Sequence, residues 1–524
     1  MRFFNTAGPV DHTDHYCLPP LGRFDLEELL RLIDQKKYFV LHAPRQTGKT
    51  TYLLALMEHL NRSGRFRCVY FNVEKGQAAR EDVHAAMRAI LDTIATSALR
   101  VLGDPSVEDS WDKVLAKSGG HSAFSKVLTL WSEQDAKPLV LLIDDVDTLV
   151  GDTLISLLRQ LREGYPFRPG HFPQSVVLCG VRDVRDYRIR SSSKEIITGG
   201  SAFNVKAKFL RLGDFTRQEV QKLYGQHVEE TGQPFSEEAL EQLWELTQGQ
   251  PWLVNALGYE CCFELREGRD RSCPITVEMV DQAKENLIRR RETHLHQLAD
   301  KLKEDRVRRV IEPLLSGGGA LETIPEDDQE YVRDLGLIRP GLPLKVANPI
   351  YREIIPRQLT LGVEPGIIQD PAWYVGEDGR LDVEKLLEAF RDFFREHSEH
   401  WIERFAYKEA GPQLLMQAFL HRVVNSGGRV EREYGLGLMR TDLLLIWPHP
   451  RGVQKAVLEL KLLHKSRQRT IEEGLEQTRL YMDRCGSEEG HLVIFDRTAG
   501  KSWKERIFRE ERESAGQAIQ VWGM

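Results

Sequence analysis

The chain has 524 residues, 41% of them hydrophobic and 29% charged, with a formal net charge of −7. This is globular composition rather than disorder, enough chain for about two to four domains, and it has no overall basic field, so any nucleic-acid contact must be a local patch. The seven cysteines are an odd number without CxxC spacing, which argues against a disulfide framework or a zinc ribbon. Met1-Arg2-Phe3-Phe4-Asn5 lacks the apolar stretch of a signal peptide. No apolar run approaches the roughly 18 residues of a transmembrane helix, so a reducing cytoplasm and no membrane partner are expected.

In chain order, residues 1–213 alternate strands and helices. Tyr38-Phe39-Val40-Leu41, Cys68 to Val73, Leu139 to Ile143 and Val176 to Gly180 are continuous apolar runs separated by helical stretches. Such runs predict an α/β unit whose parallel sheet is covered on both faces. Residues 214–293 turn helical, with amphipathic patterns over Thr216 to Glu229, Ser236 to Thr247 and Pro251 to Phe263. Residues 294–357 are helix-rich, interrupted at Gly317 to Gly319. They end in two short predicted strands, Leu337-Ile338-Arg339 and Leu344 to Asn348, around a Pro-Gly turn. Helices followed by a small hairpin fit a winged helix. Residues 358–382 are rich in Gly, Pro and Asp and read as a linker. Residues 383–524 follow the order helix, strand, strand, strand, helix, strand. No internal repeat or low-complexity tract stands out.

The run Ala43-Pro44-Arg45-Gln46-Thr47-Gly48-Lys49-Thr50 follows the first strand and opens a helix that begins at Thr51. A phosphate-binding loop needs that context. Its backbone N–H groups wrap the phosphates, a lysine reaches the outer ones, and a hydroxyl meets Mg²⁺. Lys49 and Thr50 fill the last two roles. The loop departs from GxxxxGK[ST] at its first position, which is Ala43. Leu139 to Asp145 is a buried strand ending in two acids. Asp144 would hold Mg²⁺ through water, and Asp145 would orient or deprotonate the attacking water.

These motifs, with Asp144-Asp145-Val146-Asp147, Gly180-Val181-Arg182-Asp183 and Gly249-Gln250-Pro251-Trp252, resemble the AAA-like, STAND-related P-loop ATPases of bacteria and archaea over about residues 10 to 357. The resemblance implies ATP and Mg²⁺ as cofactors and an ATPase core, helical lid and winged helix. It also implies a phosphate-sensing role for Arg182, a lid helix opened by Pro251 near the nucleotide, and Tyr16, Pro19 and Arg23 bordering the adenine. Asp11, His12, Asp14, His15 and Cys17 read as a polar lead-in rather than metal ligands. In the winged-helix stretch the candidate recognition helix, Glu326 to Asp334, is acidic and would repel phosphates. The basic residues Arg289, Arg290, Arg291, Arg306, Arg308 and Arg309 lie earlier. An interdomain transmission element is expected ahead of a DNA contact.

A second constellation lies near the C-terminus, in the strands Arg440 to Trp447 and Val457-Leu458-Glu459-Leu460-Lys461. Residues two apart in a strand share a face, so Glu459 and Lys461 point the same way, and Asp442 can join them across the hairpin. Two carboxylates and a lysine suit a hard cation that activates water. With Gln477 and Tyr481 at helical spacing downstream, this resembles the PD-(D/E)xK nucleases, a restriction-endonuclease-like α/β fold, over about residues 383 to 511. That resemblance implies metal ligation by Asp442, Glu459 and the Leu460 carbonyl, with Glu409 as an early acid and Gln413 its rival. Lys461 would position water or stabilise charge, and Gln477 would support it. Taken together, the expectation is an ATP-hydrolysing switch that controls a metal-dependent nuclease acting on DNA, in defence or mobile-element biology. The resemblance to STAND-related ATPases also implies assembly into a homo-oligomer on activation. The alternative is a nucleotide-dependent scaffold whose C-terminal domain binds nucleic acid or a partner without cutting. Helicase motor motifs are not seen.

Overall fold

The computed structural model describes residues 1–181, 188–190, 196–198, 206–290, 301–315, 324–359, 374–376, 378–402, 412, 415–417, 419–420, 428–436, 439–463, 466–496, 498 and 501–524. The chain divides into two compact units, Met1–Arg289 with Arg333–Leu337, and Arg290–Val332 with Ile338–Met524.

The first unit is built on strands β1 (Tyr38–His42), β2 (Arg67–Asn72), β3 (Leu139–Asp144) and β4 (Ser175–Gly180). A two-stranded ribbon follows, β5 (Arg188–Arg190) with β6 (Ile196–Thr198), and then β7 (Lys206–Arg211). The main sheet has five strands in the order β2-β3-β4-β1-β7, and every pairing is parallel. Alternate residues feed two cores. Val40, Val69, Leu141 and Leu178 pack with the helices Val83–Leu102, Gly120–Ser132 and Gly151–Gly164. Leu41, Cys68, Leu142 and Val177 pack with Leu26–Asp34 and Lys49–Arg62 on the other face. Both faces being covered explains why each of these strands is a continuous apolar run. All five strands run the same way and β4 lies between β1 and β3, an order in which open α/β sheets bind ligands beyond the carboxyl ends of their strands.

The helices Arg217–Thr231, Glu237–Thr247 and Pro251–Tyr259 begin at capped positions. Thr216 and Glu219 form a capping box, the Ser236 side chain accepts from Ala239 N–H, and the Gln250 side chain accepts from Leu253 N–H ahead of Pro251. Gly249 has φ +79°, and a Cβ there would lie 1.9 Å from the Phe215 carbonyl oxygen. Only glycine allows that crossing, which Phe215 N–H···O=C Gly249 (2.8 Å) locks.

In the second unit, the helices Asp305–Leu315, Glu326–Asp334 and Pro349–Leu359 fill the stretch read as a winged helix, the second of them ending in residues of the first unit. The two expected strands reduce to a single bridge, Ile338 with Val346. Pro340 and Pro343 stand between them without N–H donors, so no ladder extends. The basic residues there are engaged: Arg306 and Arg309 meet Asp328 at 3.3 and 2.7 Å, and Arg308 pairs with Asp305.

The helix Val383–Ile402 leads to a mixed six-stranded sheet, order β12-β13-β11-β10-β9-β8. Its strands are β8 (Arg429–Leu436), β9 (Met439–His449), β10 (Gly452–Leu462), β11 (Glu489–Phe495), β12 (Phe508–Ser514) and β13 (Gln517–Gly523). Strands β8, β9 and β10 form an antiparallel meander, the helix Arg467–Cys485 follows, and β11 returns parallel to β10. One sheet face, with Leu458, Leu460 and Val493, packs on Phe390 and Phe394. The other, with Leu444, Val457 and Leu492, packs on Ile471, Tyr481 and Met482.

Candidate functional site

The phosphate loop leaves β1 and enters Lys49–Arg62 through Gly48, whose φ of +89° marks the turn. Thr47 Oγ1 donates to the Pro44 carbonyl at 2.8 Å. Lys49 is buried, and its Nζ donates to the carbonyls of Ala43 and Pro44, both at 2.9 Å. Arg45 and Gln46 are exposed, and Thr51 Oγ1 accepts from Val10 N–H at 3.1 Å.

Thr50 Oγ1 donates to Asp144 Oδ2 at 2.8 Å, so the loop hydroxyl and the end of β3 meet directly. Asp144 is fully buried and also accepts from Tyr70 Oη at 3.1 Å. Asp145, in the left-handed region at φ +54°, accepts from Asn72 Nδ2 at 2.6 Å. Burial first, and then the charge of Asp144, hold the Asp145 carboxyl above the ordinary aspartate value, while the Asn72 bond and Lys49 pull it down. Asp147 Oδ1 accepts from Val181 N–H at 3.3 Å, and a Cβ on Gly180 would come within 2.7 Å of it. The sequence reading missed Tyr70 and Asn72. Their signal was available: polar side chains at alternate positions close a buried strand that lies beside β3, with Asn72 in register with Asp144.

Beside the loop lies a pocket with about 760 Å³ of free space, part of it open to solvent, lined among others by Tyr16, Arg23, Thr51, Tyr52, Pro251 and Asn255. Pro19 is not in its wall, and Pro20 is. Arg23 donates to the carbonyls of Thr47 and Gly213 and stacks over Phe215 at 4.7 Å. Burial lowers its pKa to about 10, against the opposing charges of Glu219 and Asp214. The short segment Arg333–Leu337 belongs to this unit as well. Asp334 Oδ1 lies 3.8 Å from His42 Nδ1, the Arg333 carbonyl accepts from Arg211 Nη2 at 3.0 Å, and a Cβ on Gly336 would lie 2.7 Å from the Pro44 ring.

In the second unit Glu459 and Lys461 share a face of β10. Glu459 Oε1 pairs with Lys461 Nζ at 2.8 Å, with the carboxylate residue only 3% exposed. Gln477 Oε1, on Arg467–Cys485, is buried without a hydrogen-bond partner. Asp442 lies on β9 one step beyond the last registered pair, Leu443 with Leu458; its side chain, like Arg182, Glu409 and Gln413, lies outside the described residues. Among the described residues no group of three or more His, Cys, Asp or Glu side chains is gathered to hold a metal, and no helix is long and apolar enough to cross a membrane.

Solved structures similar to the chain include a Walker-type ATPase of Pyrococcus abyssi (14% identity, 67% of this chain and 99% of that one, TM-score 0.45). Others are Cdc6p from Pyrobaculum aerophilum (15%, 66% and 95%, TM-score 0.36) and the RuvB Holliday junction branch migration motor of Thermotoga maritima (13%, 63% and 93%, TM-score 0.33). No curated protein matches the chain. With its loop, paired aspartates and parallel five-stranded sheet, and with the AAA-like domain family matching residues 27–303, more than half of its length, the chain belongs to that family.

Proposed function

We propose that the chain is an ATP-binding and ATP-hydrolysing switch that controls a metal-dependent nuclease. The observation that carries the first half is the direct meeting of Thr50 with Asp144 beside the buried Lys49. Oxygen donors of this kind fit a hard cation. Thr50 and Asp144 would hold Mg²⁺, which when bound neutralises charge on the outer phosphates. Lys49 would exchange its two carbonyl partners for phosphate oxygens, at little cost because the hydrogen bonds are replaced one for one. Asp145, held by Asn72 and raised in pKa, suits a group that orients water and takes its proton. The amides of Ala43 to Thr51 would wrap the phosphates, and Arg182 would sense them.

The proposed organisation is an ATPase core over residues 1–213, a lid over 214–293, a winged helix over 294–357, a linker over 358–382 and a PD-(D/E)xK nuclease-like domain over 383–524. The nuclease reading rests on a buried carboxylate paired to a lysine on one face of β10, in a sheet whose strand, strand, strand, helix, strand order is that of such folds. Asp442 and Glu459, with Glu409, would hold the cation, which when bound activates water against a phosphodiester. Lys461 would stabilise the developing charge, with Gln477 behind it. DNA is the proposed substrate. The paired arginines of Asp305–Leu315 support a transmission role for the winged-helix stretch over a DNA contact.

Lys49→Ala should abolish phosphate release from ATP while the protein stays folded; hydrolysis at the wild-type rate would refute the switch. Glu459→Ala should remove Mg²⁺- or Mn²⁺-dependent nicking of DNA and spare ATP hydrolysis. Nicking that survives in Glu459→Ala refutes the nuclease assignment, and a wild-type chain that binds DNA without nicking it is a scaffold instead.

A further inference from the structure

The pocket beside the phosphate loop has two walls of different origin. Gly48, Thr51 and Tyr52 come from the loop and its helix, and Pro251, Trp252 and Asn255 come from one turn of the lid helix Pro251–Tyr259. Its position next to the phosphate loop is where the base of a bound nucleotide has to go, since the phosphates are taken by the loop itself.

Two polar atoms of these wall residues are buried without a hydrogen-bond partner, Asn255 Oδ1 and Tyr52 Oη. Asn255 is 8% exposed and Tyr52 1%. The amide of Asn255 has a defined orientation, because its Nδ2 donates to the Pro251 carbonyl at 2.8 Å and a carbonyl can only accept. The oxygen is therefore the atom left over, an acceptor and nothing else. A buried acceptor left unmade is costly, and a ligand that brings a donor relieves the cost. The oxygen has almost no surface open to solvent, so a donor reaches it only when the wall residues shift to admit one. The donor has to arrive on a group pressed between the two walls.

Resting on the ATP-binding reading above, we infer that Asn255 is the residue that selects the base, accepting a hydrogen bond from the exocyclic 6-amino group of adenine as the lid helix closes on it. Tyr52, with its hydroxyl kept neutral by burial, supplies a donor toward the ring nitrogens of the same base. A purine with a carbonyl at position 6 sets oxygen against the Asn255 oxygen and is rejected. Selection by a hydrogen bond of this kind is sharp because the mismatch leaves buried polar groups unpaired.

The test is equilibrium binding of ATP and of ITP, which differs at position 6, to the full chain with Mg²⁺, for the wild type, Asn255→Leu and Asn255→Asp. Wild type should prefer ATP by about ten- to a hundredfold. Asn255→Leu should lose the preference, and Asn255→Asp, which keeps an acceptor, should retain it. The ratio is taken within one protein, so a fraction of unfolded variant cancels. Equal affinity for ATP and ITP in the wild type, or an unchanged preference in Asn255→Leu, overturns the inference and leaves ATP binding intact. Failure of the wild type to bind either nucleotide overturns both readings.

Discussion

Gly249→Ala and Gly232→Ala form a pair that isolates one contact. Both replace a glycine at positive φ, +79° and +75°. At Gly232 an added methyl meets nothing within 4 Å, so the cost is the backbone conformation alone, about 1–2 kcal/mol. At Gly249 the methyl would lie 1.9 Å from the Phe215 carbonyl oxygen and 3.1 Å from Trp244 Cζ3. The nearer neighbour is main chain, so no rotamer change relieves it. The turn must move, and Phe215 N–H···O=C Gly249, now 2.8 Å, must break. Leaving those groups unpaired adds about 1–3 kcal/mol, for a total of roughly 3–5 kcal/mol. That is a large share of the ~5–15 kcal/mol that holds a typical domain together. Urea unfolding of the two variants measures the difference. Hydrogen exchange at Val254, whose N–H donates to the Gln250 carbonyl, reports whether the helix Pro251–Tyr259 has loosened. ATP affinity should fall in Gly249→Ala alone, because Pro251 and Asn255 line the pocket from the displaced helix. Equal destabilisation by the two substitutions would refute the reasoning.

Asp145→Asn should stabilise the protein at neutral pH while ending ATP hydrolysis. A carboxyl held above its ordinary value of 3.8 favours the fold at low pH and loses that contribution as pH rises through its folded value, so the gain should shrink toward about pH 4; melting curves across pH check this, and no gain at neutral pH contradicts it. Gly336→Ala puts a methyl 2.7 Å from the Pro44 ring at φ +77°, and should cost about 1–2 kcal/mol from the backbone alone and weaken ATP binding, read by titration against wild type. Lys461→Met removes the lysine partner of the Glu459 carboxylate. The usual 3–5 kcal/mol for a broken buried pair is reduced to about 2 kcal/mol because the lysine side chain is 27% exposed. Glu459→Gln combined with Lys461→Met should recover most of that loss in urea unfolding, and a cost below ~0.5 kcal/mol for Lys461→Met would mean that the pair contributes little.

The parts of the fold that were legible in the sequence are those where burial is one-sided or complete. Strands β1, β3 and β4 each carry a continuous apolar run because helices cover both faces, and the loop from Ala43 to Thr50 is set by motif spacing. Strand β7 escaped notice because Lys-Ala-Lys-Phe-Leu-Arg alternates charge with apolar residues, as a strand at the end of a sheet can. Strand β12, Phe-Arg-Glu-Glu-Arg-Glu-Ser, reads as a solvated charge run for the same reason. At the site, Lys49, Thr50 and Asp144 were foreseeable from what phosphate chemistry demands. Tyr70 and Asn72 carried a local signal, polar side chains at alternate positions at the end of a buried strand, but which strand they lie beside comes only from the sheet. Pro340 and Pro343 could have warned that the hairpin ladder would not extend past Ile338 and Val346.

Arg333–Leu337 are a stitch: five consecutive residues that belong to the first unit, with chain belonging to the second on either side. A tethered peptide sits at very high effective concentration over its seat, so contacts too weak to hold a free peptide stay made. The seat here is His42, Pro44 and Arg211, the root of the nucleotide loop. A change in the main chain at Gly336 therefore meets Pro44 directly, and a shift of the loop at Pro44 meets Gly336 in return.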